Sequence, residues 1–185
     1  MLMDVDATPA QVKRLAANIH SAAGRMHELL TDLVSMARGR ESTVDVCDIR
    51  TVIGAALAVA DTRNVQIVVD APDAVEAPLL LSRMQRVFVN LIANSVEAMP
   101  TGGTLRIAVR KAGNSALAVL EDSGPGIPPG IRSRLFEPFV TAGKENGIGL
   151  GLAFCRQTVL EHGGDIWSEP VAKGARFVIR LPLKA

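Results

Sequence analysis

Residues 8–39 carry apolar side chains in alternating steps of three and four, which is the spacing of one face of an α-helix. Thr8-Pro9-Ala10-Gln11 forms a capping box with proline at the first helical position, and Gly39 marks the C-terminal end. The pattern predicts one helix about 45 Å long, at 1.5 Å per residue. The stripe consists of Val12, Leu15, Ile19, Ala22, Met26, Leu29, Leu33 and Met36, and it is widened by Ala16, Ala23, Leu30 and Ala37.

A stripe of this width is typical of a helical bundle rather than of a two-stranded coiled coil. The rest of the sequence contains no second helix of this kind. Because one helix cannot bury its own apolar stripe, we expect residues 8–39 to pack against a second copy of the chain or against a helix that this sequence lacks.

Beyond residue 42 the pattern changes to short helices that alternate with strands. Helical spacing predicts helices near residues 48–60, 83–99 and 150–162, and Ser82-Arg-Met-Gln85 is a second capping box. Runs of apolar residues predict strands at residues 44–46, 65–69, 104–110, 116–122, 166–167 and 176–183. This order favours an α+β fold, a two-layer α/β sandwich with helices packed on one face of a mixed sheet.

Charge and cysteine content exclude several classes of function. The 20 Lys and Arg residues nearly balance the 19 Asp and Glu residues, so we expect neither nucleic acid nor an anionic membrane as a partner. Cys47 and Cys155 are the only cysteines, which argues against a disulfide framework and a zinc site. No apolar run approaches ~20 residues and the start lacks a signal peptide's features, so the sequence predicts a soluble, cytoplasmic chain.

Asn90, Asn94 and Glu97 lie at i, i+4 and i+7 of the second predicted helix and form a polar stripe. An amide oxygen can coordinate magnesium together with phosphate oxygens and water. Taken alone, the stripe is more typical of a solvated helix face than of a metal site.

Asp122-Ser-Gly124-Pro-Gly126 follows an apolar strand. A carboxylate at the end of a strand can accept a hydrogen bond from an exocyclic amine such as that of adenine, and glycines let the backbone approach a flat ring. Taken alone, the segment is also an ordinary Asp-initiated turn.

Gly147-Ile-Gly149-Leu-Gly151-Leu opens the third predicted helix. Backbone N–H groups at a helix N-terminus favour an anion such as phosphate, although a glycine triplet by itself also occurs in tight packing. The pattern matches neither GxxxxGK[ST] nor a GxGxxG within a βαβ unit, which excludes a P-loop and a Rossmann site.

In this order, the three segments together resemble the motifs of sensor histidine kinases. Residues 90–98 resemble the N box, 122–126 the first glycine box, Phe136-Glu-Pro-Phe139 the F box and 147–152 the second glycine box. Glu161-His-Gly-Gly164 and Gly174-Ala-Arg-Phe177 also look like this family's ending. The family lies within the superfamily of DNA gyrase, Hsp90 and MutL, which implies a Bergerat-type ATP-binding fold.

Residues 25–38 are similar to the second helix of these kinases' dimerisation and phosphoacceptor domain. We therefore expect a partial dimerisation helix at residues 1–41 and a catalytic ATP-binding domain at residues 42–185. The implied partners are a second copy of the chain through residues 8–39, a phosphoacceptor-histidine domain and a response regulator.

The resemblance also implies roles for individual residues, with ATP and Mg²⁺ as cofactors. Asp122 would hold the adenine amine, with Gly124 and Gly126 beside the ring. Asn94 would coordinate Mg²⁺ with help from Asn90, and because Asn90 is an amide it cannot act as a base for water. The terminal phosphates would be contacted by Lys144 and by the second glycine box, whose nucleotide-binding residues are Gly147, Gly149, Leu150 and Gly151.

The sequence departs from the family in its histidines and at Glu97. His20, His27 and His162 are the only histidines, and none is followed by the acidic residue and proline of a phosphoacceptor site. The chain is therefore either a fragment or a natural protein that binds ATP without accepting phosphate. Many relatives carry Lys or Arg at the position of Glu97, which leaves Lys144 as the main candidate cation.

The function that these motifs imply is the ATP-binding catalytic domain of a histidine kinase, which transfers the γ-phosphate to a histidine absent from this chain. One alternative is a dimeric signalling module in which nucleotide binding is regulatory or vestigial. Another is a serine kinase of the anti-sigma-factor type, against which the long helix and the Phe136–Phe139 segment count.

Overall fold

The computed structural model describes residues 44–62, 64–141 and 149–184. The described residues belong to one compact unit, Arg40–Ala185. The helix predicted at residues 8–39 lies outside the described residues. The regular elements run in the order β1 (Asp45–Asp48), α1 (Ile49–Val59), β2 (Val65–Asp70), β3 (Glu76–Leu79), α2 (Leu81–Glu97), β4 (Gly103–Ala112), β5 (Ser115–Asp122), a 3-10 turn (Pro129–Arg134), α3 (Gly151–Glu161), β6 (Asp165–Glu169) and β7 (Arg176–Pro182).

A mixed sheet with the strand order β2-β4-β5-β7-β6 forms one layer of this unit. The pair β2 and β4 is parallel, and the pairs β4–β5, β5–β7 and β6–β7 are antiparallel. Separately, β1 pairs with β3 as a two-stranded antiparallel sheet. In the register of the large sheet, Asp122 at the end of β5 lies opposite Leu105 at the start of β4.

The core lies between the sheet and the helices. Leu105, Ile107 and Val109 of β4 are buried, as are Ala116, Ala118 and Leu120 of β5, because alternate side chains point to the same face of a strand. The central helix is α2, which contacts α1, α3, β4 and β5. Its buried residues are Met84, Val87, Phe88, Leu91, Ile92 and Ser95.

The two-layer α+β fold predicted from the sequence is therefore confirmed for the described residues. The helices lie within two residues of their predicted ends, and the strands lie within two residues of theirs. Strand β3 was not predicted: its four residues include Pro78, and a short strand with proline is stable only as part of an edge pair such as β1–β3.

The predicted capping box at Ser82 is wrong. Helix α2 begins two residues earlier, with Leu80 as its N-cap, and the side chain of Leu80 makes no capping bond to the helix. The N–H of Leu80 instead donates to Nε2 of His162 at 2.9 Å. A residue 82 positions away in the chain therefore accepts the N–H of the cap residue, where the capping box predicted bonds between Ser82 and Gln85 only.

Candidate functional site

Asp122 is the last residue of β5 and its side chain is buried, with 4% exposed. Its Oδ1 atom accepts hydrogen bonds from the main-chain N–H groups of Gly124 at 2.9 Å and of Ala175 at 3.1 Å. Its own main-chain N–H donates to the carbonyl oxygen of Ala175 at 2.9 Å. The carboxylate is thus held by the loop that follows β5 and by the residue that precedes β7.

Burial raises the pKa of the Asp122 carboxyl above its ordinary value, because a low-dielectric surrounding disfavours the charged form. Hydrogen bonds from Gly124, Ala175 and Ser95 act in the opposite direction, and the charge of Glu121 adds to the rise. Ser95 is itself buried on α2, where its hydroxyl donates to the carbonyl oxygen of Leu91 at 3.0 Å, and it lies close enough to Asp122 to lower the pKa of that carboxyl.

The backbone around Asp122 is packed too closely for side chains. A Cβ atom at Gly174, where φ is +84°, would lie 1.7 Å from the carbonyl oxygen of Asp122. A Cβ atom at Gly124 would lie 2.9 Å from Asp122 Oδ1, and one at Gly126 would lie 2.8 Å from the carbonyl oxygen of Gly174. The first glycine box and the turn before β7 therefore pack backbone to backbone beside the buried carboxylate.

Asn90 and Asn94 lie on α2 and are half-buried. The Nδ2 group of Asn90 donates to the carbonyl oxygen of Gly151, the first residue of α3, at 3.4 Å. That bond uses the donor end of the amide, so the Oδ1 atom of Asn90 is the end that can act as a ligand. Glu97 is exposed at the C-terminal end of the same helix.

The start of α3 is fixed by the F box. The main-chain N–H of Phe139 donates to the carbonyl oxygen of Gly149 at 2.9 Å. Gly149 has φ +74°, and a Cβ atom there would lie 2.7 Å from the main chain of Phe139 and Val140. Leu150 is the N-cap of α3, and its side chain makes no capping bond. The first N–H groups of this helix are therefore not bonded to the side chain of the cap residue.

The structure brings most of the predicted site residues together around α2. Its Ser95 contacts Asp122, and its Asn90 contacts Gly151, so one helix spans from the buried carboxylate to the glycine-rich helix start. Two predicted site residues, Lys144 and Gly147, lie outside the described residues.

Four residues of this region were not predicted as site residues: Ser95, Arg86, Gly174 and Ala175, the last two of which the sequence showed only as part of the family's ending. The guanidinium of Arg86 stacks over the ring of Phe154 at 4.7 Å, and burial lowers its pKa. Arg86 lies four residues before Asn90 and therefore on the same face of the helix, so the sequence spacing could have revealed that Arg86 lies near the site. The contacts of Ala175 with Asp122 span 53 residues of sequence and leave no local signal.

Cys155 lies on α3 near this region and is completely buried. Burial raises the pKa of its thiol to about 12, and hydrogen bonding with Asn90 and the charge of Arg86 oppose that rise only in part. The thiol therefore stays protonated at neutral pH, which makes it a packing residue and not a nucleophile.

Comparison with known proteins identifies the fold. Residues 80–185 match the family described as histidine kinase-, DNA gyrase B- and HSP90-like ATPase. The alginate biosynthesis sensor protein KinB of Pseudomonas aeruginosa is 33% identical over 183 residues, which cover 91% of this chain and 30% of KinB. The chain thus spans less than a third of the length of that relative.

Solved structures lead to the same family. The mycobacterial sensor histidine kinase MprB has a TM-score of 0.70 and 29% identity, and the match covers 76% of this chain and 99% of that one. The histidine kinase ThkA in complex with response regulator protein TrrA has a TM-score of 0.76 at 23% identity, over 95% of this chain and 52% of that one. Since residues 80–185 carry the family's domain and its motifs, the chain belongs to the histidine kinase-, DNA gyrase B- and HSP90-like ATPases, as an ATP-binding catalytic domain of the sensor histidine kinase type.

Proposed function

We propose that this chain binds ATP at the site centred on Asp122 and presents its terminal phosphate to a histidine outside this chain. The observation that carries the proposal is the buried Asp122 carboxylate, which is held by main-chain N–H groups at the end of β5. A buried carboxylate of this kind accepts a strong hydrogen bond from an amine, and the 6-amino group of adenine is such a donor. By their motif, Gly124 and Gly126 would lie beside the ring.

The phosphates would lie toward the start of α3. Gly149, Leu150 and Gly151 place the first N–H groups of this helix near Asn90, and a helix N-terminus favours an anion. By their place in the motif, Lys144 would offer a point charge to the phosphates and Gly147 would be a further glycine that faces them.

Mg²⁺ fits this donor set. Among the described residues no three His, Cys, Asp or Glu side chains lie together as a metal site. Asn90 and Asn94 supply amide oxygens, which are hard ligands suited to Mg²⁺ when phosphate oxygens and water complete the shell. The metal would neutralise phosphate charge, while Asn90 and Asn94 hold it beside the nucleotide.

Phosphoryl transfer would require an acceptor from another molecule or another part of a longer protein. His162 is bonded to Leu80 and Thr158 within the fold, and His20 and His27 lie outside the described residues. We assign residues 1–41 to a partial dimerisation helix that forms a homodimer, and residues 42–185 to the catalytic domain. ThkA is seen with a response regulator, and we propose a partner of that class here as well.

Titration calorimetry with ATP and Mg²⁺ tests the nucleotide site. Asp122→Asn should weaken ATP binding more than tenfold, since losing a charge-assisted hydrogen bond costs roughly 1.5–3 kcal/mol. Asp70→Asn is the matched control, because Asp70 also ends a strand but is exposed and paired with Arg110. Unchanged ATP affinity in Asp122→Asn would refute the adenine assignment.

The magnesium ligands are tested in the same assay. Asn94→Ala should reduce the gain in ATP affinity that Mg²⁺ provides, while leaving metal-free binding of ATP nearly unchanged. Glu97→Gln serves as the control for a substitution on this helix, because Glu97 lies one turn further along α2 and is exposed. Equal Mg²⁺ dependence in wild type and Asn94→Ala would remove Asn94 from the metal site.

A further inference from the structure

Arg86 lies on α2 beyond the asparagines of the site, on the side away from Asp122. Ser95 lies beside Asp122 near the C-terminal end of α2, and Asn90 contacts Gly151 at the start of α3. Arg86 precedes Asn90 by one helical turn, and it precedes Ser95 by nine residues, which is about 14 Å at 1.5 Å per residue. The order along α2 is therefore the buried carboxylate, then the two asparagines, then Arg86.

Two contacts place the Arg86 guanidinium beside the first turns of α3. Its central carbon lies 4.7 Å from the centre of the ring of Phe154, which is three residues after Gly151, the first residue of this helix. Its charge also acts on the buried thiol of Cys155, which is hydrogen-bonded with Asn90. The cation thus lies in the same corner of the fold as the Asn90 amide and the glycine-rich start of α3.

The stacking on Phe154 decides which way the donors of Arg86 point. An aromatic ring covers one face of the planar guanidinium, so its N–H groups point outward in the plane, an arrangement that suits the oxygens of a phosphate. Arg86 is also half-buried, and burial lowers its pKa because removal from water disfavours the charged form. An anion bound at the start of α3 would offset that cost with charge-assisted hydrogen bonds.

We propose that Arg86 binds the terminal phosphate of the nucleotide and thereby makes the site prefer a triphosphate to a diphosphate. This inference rests on the proposed nucleotide site and adds a cation on α2 to it. Because Arg86 lies farther from Asp122 than both asparagines do, it would contact the last phosphate and not the first two.

Calorimetric titration with ATP and with ADP, each with Mg²⁺, tests this assignment, because the two nucleotides differ only in the terminal phosphate. Arg86→Gln removes the charge and keeps a polar side chain. It should weaken ATP binding at least about tenfold, as expected for a lost charge-assisted hydrogen bond, and ADP binding by less than about twofold. If the affinities for ATP and ADP fall by the same factor, or if neither falls, the assignment is wrong.

Arg83→Gln is the matched control. Arg83 lies three residues before Arg86 and also joins α2 to α3, but it does so through an ion pair with Glu161 at the other end of α3. The ratio of ATP affinity to ADP affinity should therefore stay at the wild-type value in this variant. An equal fall of the ratio in both variants would mean that only the overall charge of α2 matters, and it would overturn the specific contact.

Arg86→Lys keeps the inference testable if Arg86→Gln fails to fold in a thermal melt. Lysine retains the cation but lacks the planar pair of donors, so the ratio of the two affinities should fall, though less than in Arg86→Gln. A wild-type ratio in Arg86→Lys would overturn the inference while leaving ATP binding intact. A wild-type chain that binds neither ATP nor ADP would overturn the proposed function, and the inference with it.

Discussion

Nε2 of His162 accepts the main-chain N–H of Leu80 at 2.9 Å, and its Nδ1 lies 2.6 Å from the carbonyl oxygen of Thr158. Because Leu80 contributes an N–H donor and Thr158 a carbonyl acceptor, the proton of the ring lies on Nδ1. The imidazole thereby ties the end of α3 to the start of α2, the helix that carries both asparagines of the site. Arg83 and Glu161 form an ion pair across the same two helix ends.

Replacing His162 should destabilise the domain. His162→Ala leaves the N–H of Leu80 without its partner, and losing such a bond costs about 1–3 kcal/mol when the group is buried. Because His162 is only half-buried, we expect the lower part of that range in urea denaturation. Arg156→Ala, at an exposed position of α3, should change the free energy of unfolding by no more than about 0.5 kcal/mol. Equal stability of His162→Ala and wild type would show that this contact does not hold α2.

Asp122→Asn should show a distinctive dependence of stability on pH in the absence of nucleotide. Burial raises the pKa of Asp122 in the folded state, so the folded chain binds this proton more tightly than the unfolded chain does. The stability that Asp122 contributes is therefore present at acid pH and is lost as pH rises through the raised pKa. The free energy of unfolding of the variant, relative to that of wild type, should be highest near pH 7. This difference should shrink toward about pH 4, near the ordinary pKa of Asp.

Melting temperatures of the two proteins at several pH values give this comparison. If the variant is less stable at neutral pH and gains on wild type as pH falls, the pKa of Asp122 is lowered rather than raised. That result would mean that the hydrogen bonds from Gly124, Ala175 and Ser95 outweigh burial.

The chain alone should not phosphorylate itself. None of its three histidines has the sequence context of a phosphoacceptor, and Asn90 cannot serve as a base for water. Incubation with labelled ATP should give no stable phosphohistidine and only slow ATP turnover. A separately expressed phosphoacceptor domain of a sensor histidine kinase serves as the positive control for transfer. Acid-labile label that disappears in His27→Gln would contradict the assignment of residues 25–38 to a second, non-acceptor helix.

Association should depend on residues 8–39. Fully burying a Leu or Ile gains on the order of 1.5–3 kcal/mol before ordering and association costs are subtracted, and the stripe contains several such residues. Light scattering should show a dimer or larger species for the whole chain and a monomer after deletion of residues 1–41. The shortened chain should still bind ATP, because every candidate nucleotide ligand lies beyond residue 85. A monomeric full chain would contradict the proposed division into a dimerisation helix and a catalytic domain.

The sequence by itself determined the two layers and supplied the candidate site residues. Leu105, Ile107 and Val109 alternate along β4, and this period of two is enough to predict a half-buried strand. Asp122 and the glycines after it were predicted as a base-binding segment from their order, and the structure places Asp122 buried at the end of β5. These features follow from neighbours in the chain, so local periodicity and motif spacing reveal them.

The tertiary structure alone decided how those residues are held. Ala175 orients the Asp122 carboxylate from 53 residues away, and His162 accepts the N–H of Leu80, the N-cap of α2, from 82 residues away. Strand β3 exists because it pairs with β1, although Pro78 weakens any local tendency to form it. The physical reason is the same in each case. A buried polar group must find a hydrogen-bond partner, and which partner is within 3 Å depends on how distant segments pack.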